Sequence, residues 1–224
     1  MTVAAMVRIG VGAVPALTDA LKSADPAVRI NAIEVLGRLG EDGKSAVAAL
    51  ATLLRKDKDA RVRETAAHAF STMYHYDPVL IEALKDEDRD VRTMAVTAIH
   101  DAGGLGQWEA VVAVIEVLVK DKDAAVRARG HYVLDHRADA SIPTLLKGLA
   151  EKNAPMRLRA IELLGQLADE AGKRNEGRLA TGLLEQALPA LAKALKDDDP
   201  GIRQAAAEAV KKIDALRKTG GERR

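Results

Sequence analysis

The sequence predicts an all-α fold, a right-handed α-solenoid of about six helix pairs preceded by an N-terminal half-repeat. Three observations predict it. A short phrase recurs six times at near-regular spacing. A column of tiny residues follows every copy at one helical turn. A second amphipathic segment precedes copies along the chain. Self-similarity at this period marks arrays in which one helical unit stacks on the next.

The phrase is an acidic residue, two variable residues, an aliphatic residue and Arg. It reads Asp25 with Val28-Arg29, Asp59 with Val62-Arg63, Asp88 with Val91-Arg92 and Asp123 with Val126-Arg127. A degenerate copy joins Asn153 to Met156-Arg157, and the last joins Asp199 to Ile202-Arg203. Successive arginines are 34, 29, 35, 30 and 46 residues apart. Four residues after the aliphatic position stand Ala32, Ala66, Ala95, Gly130, Ala160 and Ala206. Four further on stand Leu36, Phe70, Ile99, Leu134, Leu164 and Val210. Positions i, i+4 and i+8 form one helical stripe, and its tiny level lets a second helix approach closely.

The upstream segments include Val14 to Leu21, Ile142 to Leu149 and Leu188 to Leu195. Pro15, Pro143 and Pro189 belong in a first turn or at a kink, where a missing N–H is tolerated. The aspartates are placed to cap the second helices, accepting from orphan N–H groups at the positive dipole end. An acid precedes the cap by two residues in most copies: Asp57, Asp86, Asp121, Glu151 and Asp197. Each motif arginine is therefore expected to bridge to an acid of the neighbouring repeat. Asp25, Arg29, Asp59, Arg63, Asp88, Arg92, Asp123, Arg127, Arg157, Asp199 and Arg203 are read as a structural ladder, with an aligned acid offsetting each charge.

These features resemble HEAT repeats: two helices per repeat, an Asp…Val-Arg phrase opening the second, and Pro in the first. The spacing is most similar to the short bacterial variety also found in phycobilisome-lyase-type proteins. The resemblance implies an armadillo/HEAT-like superhelix whose second helices line a concave face that commonly holds another protein. It implies one domain over 1–216, with repeats at about 1–12 (partial), 13–43, 44–76, 77–104, 105–138, 139–176 and 177–216. A basic C-terminal tail, 217–224, follows. Ala4 to Gly10 look like the tail of a second helix. An apolar end there would support end-to-end self-association or a longer parent array. The widest spacing contains an insertion over 168–181, read as a solvated connector with an extended first helix as the alternative.

Composition excludes several chemistries. Cysteine is absent, which removes disulfides and thiolate metal sites. Hydrophobic residues are 48% of the chain but aromatics only 2%, so the core must be aliphatic and offers little for a deep ligand pocket. The 34 basic and 33 acidic side chains leave a net charge of +1, which argues against nucleic acid as a partner. The N-terminal residues lack a signal-peptide pattern, and the longest apolar stretch, Ala110 to Val119, is broken by Glu116 and too short to span a bilayer. A cytoplasmic location is expected. HEAT-like di-iron hydroxylases use His-Glu pairs, and none occurs here. HEAT-like DNA glycosylases need more aromatics and a basic face. Gly103-Gly104-Leu105-Gly106 is a turn between repeats, since no strand precedes it.

Neither a metal nor a cofactor is expected. The nearest approach to a ligand set is His100, His131, Asp135 and His136, and His131 with Asp135 share a helical face. His131 stands in a column otherwise holding Ile33, Ala67, Val96, Ile161 and Ala207, which reads equally as a core histidine bonded to Asp135. On the expected concave face, Met94, Arg129, Tyr132, His136 and Arg159 are the candidate partner-binding residues, because Arg and Tyr anchor interfaces and exposed Met adapts. Trp108 is either a staple between repeats or a surface anchor. The functional expectation is a non-enzymatic scaffold holding a protein or peptide. The resemblance leaves open an accessory or lyase-like subunit acting on a bilin-bearing protein.

Overall fold

The computed structural model describes residues 10–174 and 177–221. The expected half-repeat therefore lies outside the described residues up to position 9, as do Asn175, Glu176 and the last three residues of the tail. The described residues are helical throughout, with turns and no strand among them. They group into two compact units, Met1–Gly104 and Leu105–Arg224, where the repeats alone suggest a single array over 1–216.

In the first unit the pairs are α1 (Val14–Ala20) with α2 (Pro26–Arg38), α3 (Val47–Lys56) with α4 (Ala60–Thr72), and α5 (Val79–Ala83) with α6 (Arg89–Asp101). Sequence dictates where each second helix starts. Asp25 accepts from Ala27 N at 2.8 Å, Asp59 from Arg61 N at 2.9 Å and Asp88 from Asp90 N at 2.8 Å. Each cap satisfies an orphan donor of the first turn. The second helices pack side by side, α2 on α4 and α4 on α6. Ala66 and Ala95, with Phe70 and Ile99 one turn on, are wholly buried, and Ala32 and Leu36 nearly or wholly so. Burying each larger aliphatic side chain contributes roughly 1.5–3 kcal/mol. Gly43 is required in its turn, since a Cβ there would stand 2.4 Å from the Leu36 carbonyl oxygen.

The second unit contains α7 (Trp108–Lys120), α8 (Ala124–His136), α9 (Ala138–Leu149) and α10 (Ala154–Arg174). α11 (Arg178–Gly182), a π turn (Leu183–Ala187), α12 (Leu188–Ala194) and α13 (Pro200–Gly221) follow. Here the regular side-by-side order of second helices changes. Only Arg137 separates α8 from α9. α8 packs on α7 and also meets α9 and α11, while α10 packs along α9 and α13 and meets α7. Arg159 of α10 accordingly reaches back to Glu116 of α7 at 2.8 Å.

Where it is described, the insertion over 168–181 is largely helical. Ala168 to Arg174 prolong α10, because Leu167, Ala168 and Ala171 continue its buried stripe and Leu216 of α13 packs 3.4 Å from the Cβ position of Gly172. α11 then starts at Arg178, and its Leu179 N–H donates to Asp135 of α8 at 2.9 Å. Trp108 is a staple between repeats: its ring lies so close to α9 that a Cβ on Gly148 would meet it at 2.3 Å. Pro143 sits inside α9, whereas Pro15 and Pro189 occupy first turns.

Candidate functional site

The most regular side chains are consumed by the framework. Arg29 makes two hydrogen bonds to Asp57, both at 2.7 Å, and Arg63 two to Asp86 at 2.7 and 2.8 Å. Arg157 makes two to Asp197 at 2.9 and 3.0 Å. The acid in turn accepts from the N–H of its own cap: Asp59 N donates to Asp57 at 3.0 Å and Asp88 N to Asp86 at 2.9 Å. The sequence pattern does not reveal a further role. Nη1 of Arg29, Arg63, Arg92, Arg127, Arg157 and Arg203 donates to the carbonyl oxygen six residues earlier, at 2.7 to 3.2 Å. One guanidinium thus closes the linker of its own pair while gripping the next.

The hydrogen bond to Asp57 raises the Arg29 pKa further above its ordinary value. Burial pushes the Asp86 carboxyl up, but the hydrogen bonds from Arg63 and the Asp88 N–H outweigh it and hold the group below 3.8. The fourth rung departs from expectation. Arg127 donates to the Asp121 carbonyl, and among the described residues it forms no ion pair with Glu151. The cause is the altered order of helices, since α8 is flanked by α9 and α11 rather than by α10.

The candidate partner-binding residues fall on three helices, α6, α8 and α10. Arg129, Tyr132 and His136 share one face of α8. The Arg129 guanidinium lies 5.0 Å from the Tyr132 ring centroid. The His136 ring stacks on the Tyr132 ring, with centroids 5.7 Å apart and planes inclined by 10°. Tyr132 is 52% exposed. Arg159 does not join them: on α10 it is tied to Glu116 and, at 3.5 Å, to Glu162. Met94 is half-buried on α6, in the other unit.

The histidine set does not converge. His100 Nδ1 lies 2.7 Å from Asp101, His131 is buried, Asp135 serves the N-terminus of α11, and His136 belongs to the ring stack. Among the described residues no three of His, Asp and Glu are placed to hold a metal ion.

The surface also carries grooves, of which two lie along second helices. In the first unit Glu34, Arg38, His68 and Thr72 surround a cavity of about 140 Å³ floored by Ile33 and Ala69, on the shared face of α2 and α4. In the second, a groove of about 940 Å³ between α10 and α13 is lined by Ala168, Gly172, Ala207 and Val210, and Lys212 spans it to Asp169 at 2.7 Å. One residue is not singled out by the alignment of helix starts. Tyr74, 77% exposed, has φ of 50° and is the one non-glycine residue with positive φ among the described residues.

Stacked helix pairs, most with an Asp capping the second helix and an Arg closing the linker before it, define a helical-repeat protein of the α-solenoid class. Family profiles for HEAT repeats match residues 1–71, 78–164 and 142–220. The chain belongs to the HEAT repeat family. No curated protein matches it. Among solved structures, a designed armadillo repeat protein, YIII(Dq.V1)4CPAF in complex with peptide (KR)4, is 18% identical, with 89% of this chain and 99% of that one covered at a TM-score of 0.45. The YibA protein of E. coli is 20% identical, with coverage of 92% and 84% and a TM-score of 0.49. An archaeal HEAT-like repeats protein from Thermococcus onnurineus NA1 is 14% identical, with coverage of 96% and 93% and a TM-score of 0.44. Among the described residues no helix is long and apolar enough to cross a membrane.

Proposed function

We propose that this chain is a non-enzymatic scaffold that holds a protein or peptide partner, and that the α8 stripe of Arg129, Tyr132 and His136 is its anchor. One observation carries the reading. In a chain with three tyrosines, one phenylalanine and one tryptophan, Tyr132 stands half in solvent with its ring in contact with a guanidinium and an imidazole. Such a prearranged aromatic surface loses little rotamer freedom on binding, which is why Tyr and Arg dominate interface energetics. Arg159 is a framework contact in this reading, and Met94 is a separate, weaker point of attachment on α6. The reading places the chain in the cytoplasm, with which its lack of cysteine is compatible.

The test compares proteins retained from the source cell by the wild-type chain and by Arg129→Ala/Tyr132→Ala. The variant is expected to keep its circular dichroism and to lose a specific partner. Equal retention of every partner would overturn the assignment.

A further inference from the structure

The pair α12–α13 repeats the geometry of the other pairs but leaves its grip unused. Arg203 Nη1 donates to the carbonyl oxygens of Asp197 and Asp198 at 2.7 and 2.9 Å. Arg157 Nη1 does the same with Glu151 and Lys152 at 3.2 and 2.9 Å. In Arg29, Arg63 and Arg157 the other edge of the guanidinium, Nε with Nη2, holds a carboxylate of the next pair. Among the described residues no carboxylate pairs with Arg203. One turn on, Ala207 is exposed, whereas Ile33, Ala67 and Ile161 in the same column are wholly buried. Leu195 is 39% exposed, and its counterparts Leu21 and Leu84 are buried. This face of the pair is thus the one that a neighbouring pair covers elsewhere.

The first unit shows what fits such a face. On α4, Arg63 holds Asp86, and Ser71, eight residues on, donates its hydroxyl to Asp101. Asp86 precedes the Asp88 cap by two residues, and Asp101 follows that cap by thirteen. On α13 the same two levels carry Arg203 and an exposed lysine, Lys211, again eight residues apart. A second copy of this chain does not match them. Its first pair has Ser23 in the place of Asp86 and Arg38 in the place of Asp101, so one charge goes unmet and the other faces a like charge. We propose that this face of α13 docks an acidic helix pair of another protein through two carboxylates, one two residues before the cap of its second helix and one thirteen residues after it. Arg203 takes the first in its planar fork and Lys211 the second. The α8 stripe plays no part in this contact, so either assignment can fail alone.

The probe is a fluorescein-labelled peptide copying residues 77–104, which carries Asp86 and Asp101. Its counterpart has Asp86→Asn and Asp101→Asn. A lone pair buries its apolar stripe only against a neighbour, so the peptide orders as it docks. Fluorescence anisotropy with the full chain is expected to show the acidic peptide binding roughly tenfold more tightly than its counterpart. Arg203→Met/Lys211→Met is expected to keep the wild-type circular dichroism, since both side chains are exposed, and to bind the two peptides alike and weakly. Sedimentation equilibrium is expected to find variant and wild type in the same oligomeric state. No binding of either peptide, equal binding of both by the wild type, or a preference that survives in the variant would overturn the proposal. So would a wild-type dimer that the variant dissociates, since the face would then belong to a second copy.

Discussion

Replacing Arg63 with methionine removes the best-buried rung of the ladder described by hydrogen bonds at both ends. The guanidinium is 7% exposed and makes two bonds to Asp86 and a third, at 2.9 Å, to the Asp57 carbonyl. The Asp86 side chain, 12% exposed, would keep the hydrogen bond from the Asp88 N–H, with the charge of Arg92 contributing at longer range. Stranding one member of a buried pair costs about 3–5 kcal/mol, and the slight exposure of both groups favours the lower end, about 3 kcal/mol. For a chain of this size that corresponds to a fall in Tm of roughly 6–12 °C. Thermal melts and urea titrations followed by circular dichroism measure it. Adding Asp86→Asn should recover more than half of the loss, since no charge is then stranded. Arg55 and Glu82 provide the control. Their contact is as short, 2.7 Å, but the side chains are 41% and 58% exposed, so Arg55→Met should leave stability unchanged within error. Equal melting of the Arg63 and Arg55 variants would refute the reasoning that burial gives the rung its weight.

Acid should act through the same rungs. The hydrogen bond from Arg157 holds the Asp197 carboxyl below its ordinary 3.8, and Asp86 is also held low against the opposing push of burial. Their stabilisation is complete above the unfolded value near 3.8 and is lost as pH falls through the depressed folded values. Helicity should therefore hold from pH 7 to about 4 and decline below, and Asp86→Asn should make that decline shallower. Glu64 has the opposite sign: burial, then the charges of Asp90 and Asp88, hold it above 4.5. Its ionisation works against the fold, so Glu64→Gln should raise the urea midpoint at pH 7 and lose that advantage in acid. Gly148→Ala should lower stability by about 1–3 kcal/mol through overpacking on Trp108. It should also shift the fluorescence of Trp108, the chain's one tryptophan.

Much of the fold is legible because local chemistry and packing agree. An Asp caps each helix that it opens, a tiny residue marks each close approach, and the acid two residues before the cap meets the preceding arginine where second helices lie side by side. What a repeat alignment does not convey is a change in neighbour order. The single residue between α8 and α9 leaves no length for the usual linker, and α10 then meets α7. Arg127 consequently lacks the Glu151 rung, and Arg159 is tied to Glu116 of α7. The insertion is legible only after its apolar stripe is read in phase with α10: Leu167, Ala168 and Ala171 continue the helix. Tyr74 has a weak signal in sequence, a tyrosine where the repeats before and after it carry Gly40 and Gly103. It is visible once helix termini, rather than helix starts, are aligned. The α8 stripe follows from i, i+3 and i+7 spacing, but the stacking of its rings requires coordinates.

Hydrogen exchange on the chain, alone and saturated with the partner that it retains, tests the central assignment most directly. The expected result is added protection concentrated in the α8 peptide that contains Arg129, Tyr132 and His136, with the ladder segments around Arg29, Arg63 and Arg157 unchanged. Protection that leaves α8 unaltered while the partner is bound would contradict it.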